Sequence, residues 1–247
     1  MKNKKQPIAL VIGSSSGIGR ATLTYLAEKN FLVIGISRNI LEMQKIQDML
    51  EKKGQACYYY SCDITDTNVL LSTFESIHKR FKKIDLFVFS AGIMPLSLLR
   101  DGKIEEWNNM INTNLTAFLH SINFVLPIFR KYNHGHFFSI SSTASEKICN
   151  GAGVYAATKS AMNCIMKHLN FEEKDTQIKF TTISPGTVNT NLYKSISEIK
   201  FRNEAFQRER NEGIEPIDIA KIIFFLYQQT KNTVVSELKI TPVNQGL

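Results

Sequence analysis

The sequence predicts a doubly wound α/β fold, a parallel sheet of about seven strands with helices on both faces. Short apolar runs alternate with helical patterns almost from end to end. The middle runs are nearly continuously apolar, and a glycine-rich turn follows directly on the first of them. Strands of a parallel sheet read as unbroken hydrophobic runs because helices cover both faces. Right-handed crossovers between such strands leave few other topologies.

Strands are expected at Ile8–Ile12, Phe31–Ile36, Cys57–Tyr60, Leu86–Phe89, His136–Ile140, Phe180–Ile183 and Val234–Ile240. Between them the spacing predicts helices over Arg20–Lys29, Leu41–Lys53, Thr67–Phe81, Trp107–Tyr132, Tyr155–Asn170 and Ile217–Gln229. Pro216 suits the first turn of the last helix, where its missing N–H is not needed. Pro127 lies inside a helical pattern and should kink or end it. With no repeat, linker or low-complexity tract, residues 1–247 read as a single domain. One segment, Leu192–Gly213, breaks the rhythm, and Ile196, Ile199, Phe201 and Phe206 are spaced to share an apolar face. It follows a strand's carboxyl end, so it reads as a substrate lid at about 190–213 more than as a plain surface helix.

Composition narrows the function. With 43% hydrophobic and 21% charged residues, the chain falls outside the disordered and collagen-like classes. No run approaches the roughly 18 apolar residues of a membrane span. The basic start at Met1–Lys5 precedes an apolar run too short for a signal peptide, so a cytoplasmic location with no membrane partner is expected. The formal charge of +8 is scattered, with dense clusters only at Lys2–Lys5 and Lys194–Glu212. It reads as a solvated surface with affinity for small anions, and no nucleic-acid partner is expected. Cys57, Cys62, Cys149 and Cys164 show no metal spacing, so no metal is expected. They read as buried or half-buried thiols in a reducing compartment.

The turn after the first strand is Gly13-Ser14-Ser15-Ser16-Gly17-Ile18-Gly19, and it opens the first helix. Glycines permit a sharp turn and close approach of backbone N–H groups to a phosphate, and the helix N-terminus adds partial positive charge. The spacing GxxxGxG differs from the common GxGxxG, but the strand–turn–helix context is the required one. In dinucleotide folds an acidic residue about 20 positions beyond the glycines binds the ribose hydroxyls of NAD. Here the second strand ends at Ser37-Arg38 and offers a guanidinium fork instead, suited to a 2′-phosphate. NADP(H) is therefore expected in preference to NAD(H).

The glycine loop, Cys62-Asp63-Ile64, Ser90-Ala91-Gly92, Asn114, Ser141-Ser142, Tyr155-Ala-Ala-Thr-Lys159 and Pro185-Gly186-Thr187-Val188-Asn189-Thr190 occur in that order. Together they resemble the short-chain dehydrogenase/reductase superfamily, in its single-domain NADP-dependent branch, from about Pro7 to Gln245. Two departures stand out. Ser90 replaces a frequent asparagine, and Ile12 replaces the usual threonine.

The resemblance implies that Tyr155 protonates a carbonyl oxygen as hydride arrives and that Ser142 hydrogen-bonds that oxygen. It also implies that Lys159 holds the ribose hydroxyls and that Asn114 anchors a proton-relay water. Asp63 and Ile64 would flank the adenine, and Ala91 and Gly92 would run under the cofactor. Pro185, Gly186, Val188 and Thr190 would meet its nicotinamide end. Asp63 reads equally as a helix N-cap.

Elementary chemistry supports the pair. Tyr155 and Lys159 are four apart and share a helix face. An ammonium at ~4 Å, with an effective dielectric of ~20, favours a phenolate by roughly 4 kcal/mol before desolvation costs. That would lower a tyrosine from near 10 by about three pK units. Alone, a YxxxK pair is as readily a core tyrosine and a solvated lysine. Beside the glycine loop and Ser142 it reads as chemistry.

Met94, Leu96, Lys147, Ile148, Leu192 and Tyr193 are expected in the substrate wall by position. Small residues on the Tyr155 helix (Ala152, Gly153, Ala156, Ala157, Ser160 and Ala161) permit close helix approach. The resemblance implies pairing through Trp107–Tyr132 and Tyr155–Asn170 into a homodimer or homotetramer. The expected function is NADPH-dependent hydride transfer to or from a small aldehyde, ketone or hydroxy acid, of carbonyl reductase or alcohol dehydrogenase type. The alternative is a non-catalytic NADP-binding sensor, which would have no need of Asn114, Ser142, Tyr155 and Lys159 together.

Overall fold

The computed structural model describes residues 6–245, so the Lys2–Lys5 cluster lies outside the described residues. They form one seven-stranded sheet, ordered β3-β2-β1-β4-β5-β6-β7. The strands are β1 (Ile8–Ile12), β2 (Leu32–Ser37), β3 (Cys57–Ser61), β4 (Leu86–Phe89), β5 (Gly135–Ile140), β6 (Ile178–Pro185) and β7 (Glu237–Ile240). Every pairing is parallel. The helices are α1 (Gly17–Glu28), α2 (Ile40–Glu51), α3 (Thr67–Phe81), α4 (Ile104–Ile111), α5 (Ala117–Tyr132), α6 (Gly153–Glu172), α7 (Ile199–Glu212) and α8 (Pro216–Tyr227).

The period-two alternation of the strands sorts the core into two layers. Leu10 and Ile12 of β1 face one side with Phe87 and Phe89 of β4, under α3, α5 and α6. Ala9 and Val11 face the other with Leu86 and Val88, under α1, α2 and α8. Phenylalanine dominates the first layer, where Phe87 stacks on Phe137 at 4.8 Å and Phe118 meets Phe137 edge-on at 5.7 Å. Such ring pairs add about 0.5–1.5 kcal/mol each beyond their buried area.

Three expectations change. The helix expected over Trp107–Tyr132 is two helices joined by a π-helical turn, Asn112–Thr116. The wider turn lets the Asn114 side chain reach inward to the backbone of Ile93. Of the two outcomes expected at Pro127, a kink or an end, the end does not occur, since α5 runs on to Tyr132. The carbonyl four residues back, on Asn123, loses its partner, but both residues lie on the exposed face, where water can take it. Of the cysteines, Cys57 and Cys62 are buried, whereas Cys149 and Cys164 are exposed. Pro216 stands in the first turn of α8 as expected. No helix among the described residues is long and apolar enough to cross a membrane.

One buried histidine couples the fold to pH. His136 on β5 is 3% exposed and hydrogen-bonds the Thr181 hydroxyl through Nε2 at 2.8 Å. Its Nδ1 is buried without a partner. Burial, with Lys179 and His134 nearby, lowers its pKa to about 3. The ring is neutral in the fold, but an unfolded histidine takes up a proton below about pH 6.5. The unfolded state then binds the extra proton, so stability falls as pH drops from about 6.5 towards 3. Urea denaturation at pH 7 and pH 5 should show wild-type protein losing about 2 kcal/mol more than His136→Gln. Equal losses would contradict this account.

Candidate active site

A cavity of about 750 Å³ lies over the carboxyl ends of the strands, flanked by the loops after β1, β2, β4, β5 and β6. The winding of the sheet reverses between β1 and β4, and this is where open α/β sheets hold ligands.

The glycine loop forms one wall. Gly13 has φ +83°, and a Cβ there would lie 2.7 Å from the Ala91 backbone. A Cβ on Gly19 would lie 2.2 Å from the Gly13 carbonyl oxygen. Only glycine fits either place. Ser16 caps α1 without using its side chain, and the first turn carries no acidic residue. The first N–H groups of α1 are thus unspent by any cap, a cradle suited to phosphate.

Most of the expected cofactor residues line this cavity: Gly13, Ser16, Gly17 and Ile18 from the loop, with Ser37 and Arg38 at the end of β2. Asp63, Ile64, Ala91 and Gly92 join them, as do Pro185, Gly186, Val188 and Thr190 beyond β6. Ser14 and Gly19 do not. Ser14 is fully buried, with its hydroxyl donating to the Ile36 carbonyl at 3.2 Å and contacting Met43 Sδ at 3.3 Å. Gly19 serves the turn from inside the helix. Ser15, which sequence reasoning passed over, takes the outward place and accepts from the Ser37 hydroxyl at 2.6 Å. Its only signal was its position between two glycines of the loop.

Arg38 and Asp63 face each other loosely, 3.9 Å apart and largely exposed. Asp63 is no helix cap, because Asp66 caps α3 while Asp63 accepts from the Thr65 N–H and hydroxyl. Those bonds and the Arg38 charge hold its carboxyl below the usual range.

The other wall carries Ser142, Tyr155 and Lys159. Helix α6 sets both Tyr155 and Lys159 inward, each 4% exposed. Ser142 leaves the end of β5 and caps a short 3₁₀ turn, accepting from the Ala144 N–H at 3.1 Å. Burial raises Tyr155 to about 12, with a side-chain hydrogen bond from Ser142 working against the rise. Burial also lowers Lys159 to about 8. Its ammonium donates to the Ile140 carbonyl at 2.8 Å and stands 5.9 Å from the centre of the Tyr155 ring. The lowering expected from the Lys159 charge does not prevail: desolvation dominates, and the phenol stays protonated.

Asn114 is fully buried and does not line the cavity. Its amide donates to the Ile93 carbonyl and the Thr158 hydroxyl, and its oxygen accepts from the Ile93 N–H at 2.9 Å. Its side chain shapes the β4 loop from behind. Met94, Leu96, Lys147, Ile148 and Leu192, expected in the substrate wall, line the cavity. Tyr193 turns away and packs on Phe206 with ring centres 5.1 Å apart. The apolar face expected for the lid is only partial, since Ile196 is buried but Ile199 is 62% exposed.

The model of the short chain dehydrogenase family matches residues 7–200. The chain belongs to the short-chain dehydrogenase family. It is 32% identical over 250 residues, the full length of both chains, to an uncharacterized oxidoreductase of Staphylococcus saprophyticus. Among solved structures, a serine dehydrogenase complexed with NADP+ superposes with a TM-score of 0.89 at 24% identity, covering 97% of this chain and 96% of that one. An alcohol dehydrogenase of the archaeon Thermococcus sibiricus, complexed with 5-hydroxy-NADP, gives 0.87 at 23% identity, covering 98% and 99%. These likenesses show the fold, and the family makes the chain an oxidoreductase.

Removing the Asn114 amide would leave the Ile93 N–H and carbonyl unpaired in a half-buried place, and the Thr158 hydroxyl without its amide donor. Asn114→Ala should cost about 2–5 kcal/mol in chemical denaturation. A loss below about 0.5 kcal/mol would contradict its bracing role.

Proposed function

We propose that this short-chain dehydrogenase is an NADPH-dependent carbonyl reductase or alcohol dehydrogenase acting on a small aldehyde, ketone or hydroxy acid. The observation that carries the reading is the convergence of Ser142, Tyr155 and Lys159 on the cavity wall facing the glycine cradle. The cradle fits a dinucleotide: glycines where a Cβ would collide, uncapped N–H groups on α1, and Ser37 with Arg38 at the far end. Arg38 would meet a 2′-phosphate, which its loose pairing with Asp63 leaves it free to do. Structural neighbours that hold NADP support the same choice.

When bound, the nicotinamide supplies or accepts hydride. Tyr155, kept protonated by burial, is a proton donor at neutral pH and delivers its proton to the carbonyl oxygen. In the reverse direction it receives that proton back. Ser142 orients the same oxygen by a hydrogen bond. Lys159, anchored on the Ile140 carbonyl, binds ribose hydroxyls and puts positive charge on the side where a phenolate would form. Asn114, with its amide engaged by Ile93 and Thr158, supports the site from behind by bracing the loop after β4, in place of the relay-water role expected of it. Residues 190–213 act as the lid.

Pairing through α4, α5 and α6 would give the homodimer or homotetramer. In support, Ile111, Leu119 and Phe171 are exposed on these helices. Gly153, Ala157 and Ser160 form an exposed line of small residues on α6. Four free thiols, two of them exposed, suit a reducing cytoplasm.

Tyr155→Phe should lower kcat for NADPH-linked carbonyl reduction by about 10²–10⁴-fold while NADPH affinity changes little. Equal kcat in the two proteins would overturn the mechanism. Absence of turnover in wild type across a broad carbonyl panel would overturn the enzymatic reading in favour of a sensor.

A further inference from the structure

Helix α7 is strongly charged, and its buried residue is itself a carboxylate, Glu209, 7% exposed. Burying a carboxylate is costly unless its oxygens are well supplied with donors. Here they are supplied by one short segment of backbone. Oε2 accepts from the Thr190 N–H at 3.1 Å and the Thr190 hydroxyl at 3.4 Å, and Oε1 accepts from the Tyr193 N–H at 3.2 Å.

That segment belongs to the reaction side of the cavity. Thr190 lies against Gly17 of the glycine loop and accepts from the Leu192 N–H at 3.2 Å. The 3₁₀ turn Leu192–Ser195 continues from it. Ser195 donates to the Leu192 carbonyl at 2.7 Å and accepts from the Met94 N–H at 2.8 Å. One chain of bonds thus runs from Glu209 through Thr190 and Leu192 to Ser195 and Met94, two elements of the substrate wall. The end of α7 is fixed as well. A Cβ on Gly213 would lie 2.7 Å from the Asn189 N, and Val188 bridges to Ile214. Burial pushes the Glu209 carboxyl above the usual carboxylate range, while its hydrogen bonds hold it back.

We infer that Glu209 is a positioning residue: its carboxylate sets the Thr190–Tyr193 backbone, and through it the substrate-side wall opposite Tyr155. This rests on the oxidoreductase reading of the site. Beside its half-buried Phe201, Ala205 and Phe206, helix α7 buries a two-pronged acceptor aimed at the loop beyond β6.

The test compares wild type with Glu209→Gln and Glu209→Ala. Glutamine keeps the shape but offers one acceptor, and sets its NH₂ against the second N–H. Amide exchange at Thr190 and Tyr193 should quicken by about tenfold or more in both variants, with β4 and β5 unchanged. In Glu209→Gln, kcat/KM for the carbonyl substrate should fall by about tenfold or more, while the NADPH dissociation constant stays within about threefold. Unaltered exchange overturns the inference. So does quickened exchange with kcat/KM preserved, which is what a purely structural staple would give. Inactive wild type overturns the oxidoreductase reading and this inference with it. Active wild type matched by Glu209→Gln overturns this inference alone.

Discussion

The close approach of Gly13 to Ala91 is the constraint on which the rest of the site depends. Strand β1 lies between β2 and β4, and the chain leaves it towards β2, winds outward to β3, then crosses back to β4. The loops leaving β1 and β4 must therefore meet at their bases and separate above, which opens the crevice. Because Gly13 carries no side chain, its backbone can lie against that of Ala91, and the floor closes. A Cβ there would push the two strand ends apart. It would also displace α1, whose N-terminus the same turn aims into the cavity.

On this floor the polar groups divide into two kinds. On the cradle side they are exposed and loosely engaged: Arg38 is held to Asp63 only at 3.9 Å and has conformational freedom to take another anion. On the Tyr155 side, Tyr155 and Lys159 are buried. Lys159 donates its ammonium to the Ile140 carbonyl, and burial lowers its pKa to about 8. Tyr155 is held in the opposite sense, as a neutral phenol. The low-dielectric wall thus stores a proton on the tyrosine and a cation behind it. That order suits a proton donor in carbonyl reduction.

The strands were legible because a parallel sheet covered on both faces leaves little room for polar residues. β1, α3 and β4 have the bounds that the pattern predicts, Ile8–Ile12, Thr67–Phe81 and Leu86–Phe89. What could not be read were features set by tertiary partners. The π turn at Asn112–Thr116 exists because Asn114 finds the Ile93 backbone, 21 residues away in sequence. The inward turn of Ser14 depends on Met43, and the outward turn of Ser15 on Ser37. The elevated tyrosine reflects burial, which residue spacing does not reveal. Glu209 looked like one charge among many in a charged helix, until the fold brought two backbone N–H groups to it.

The central claim is that this crevice holds a phosphorylated nicotinamide dinucleotide, with the cradle and Arg38 choosing it. Fluorescence titration of the purified chain with NADPH and NADH in parallel tests that claim most directly. The account predicts saturable NADPH binding at least about tenfold tighter than NADH, the worth of one charge-assisted contact to the 2′-phosphate. Binding of neither dinucleotide would contradict it.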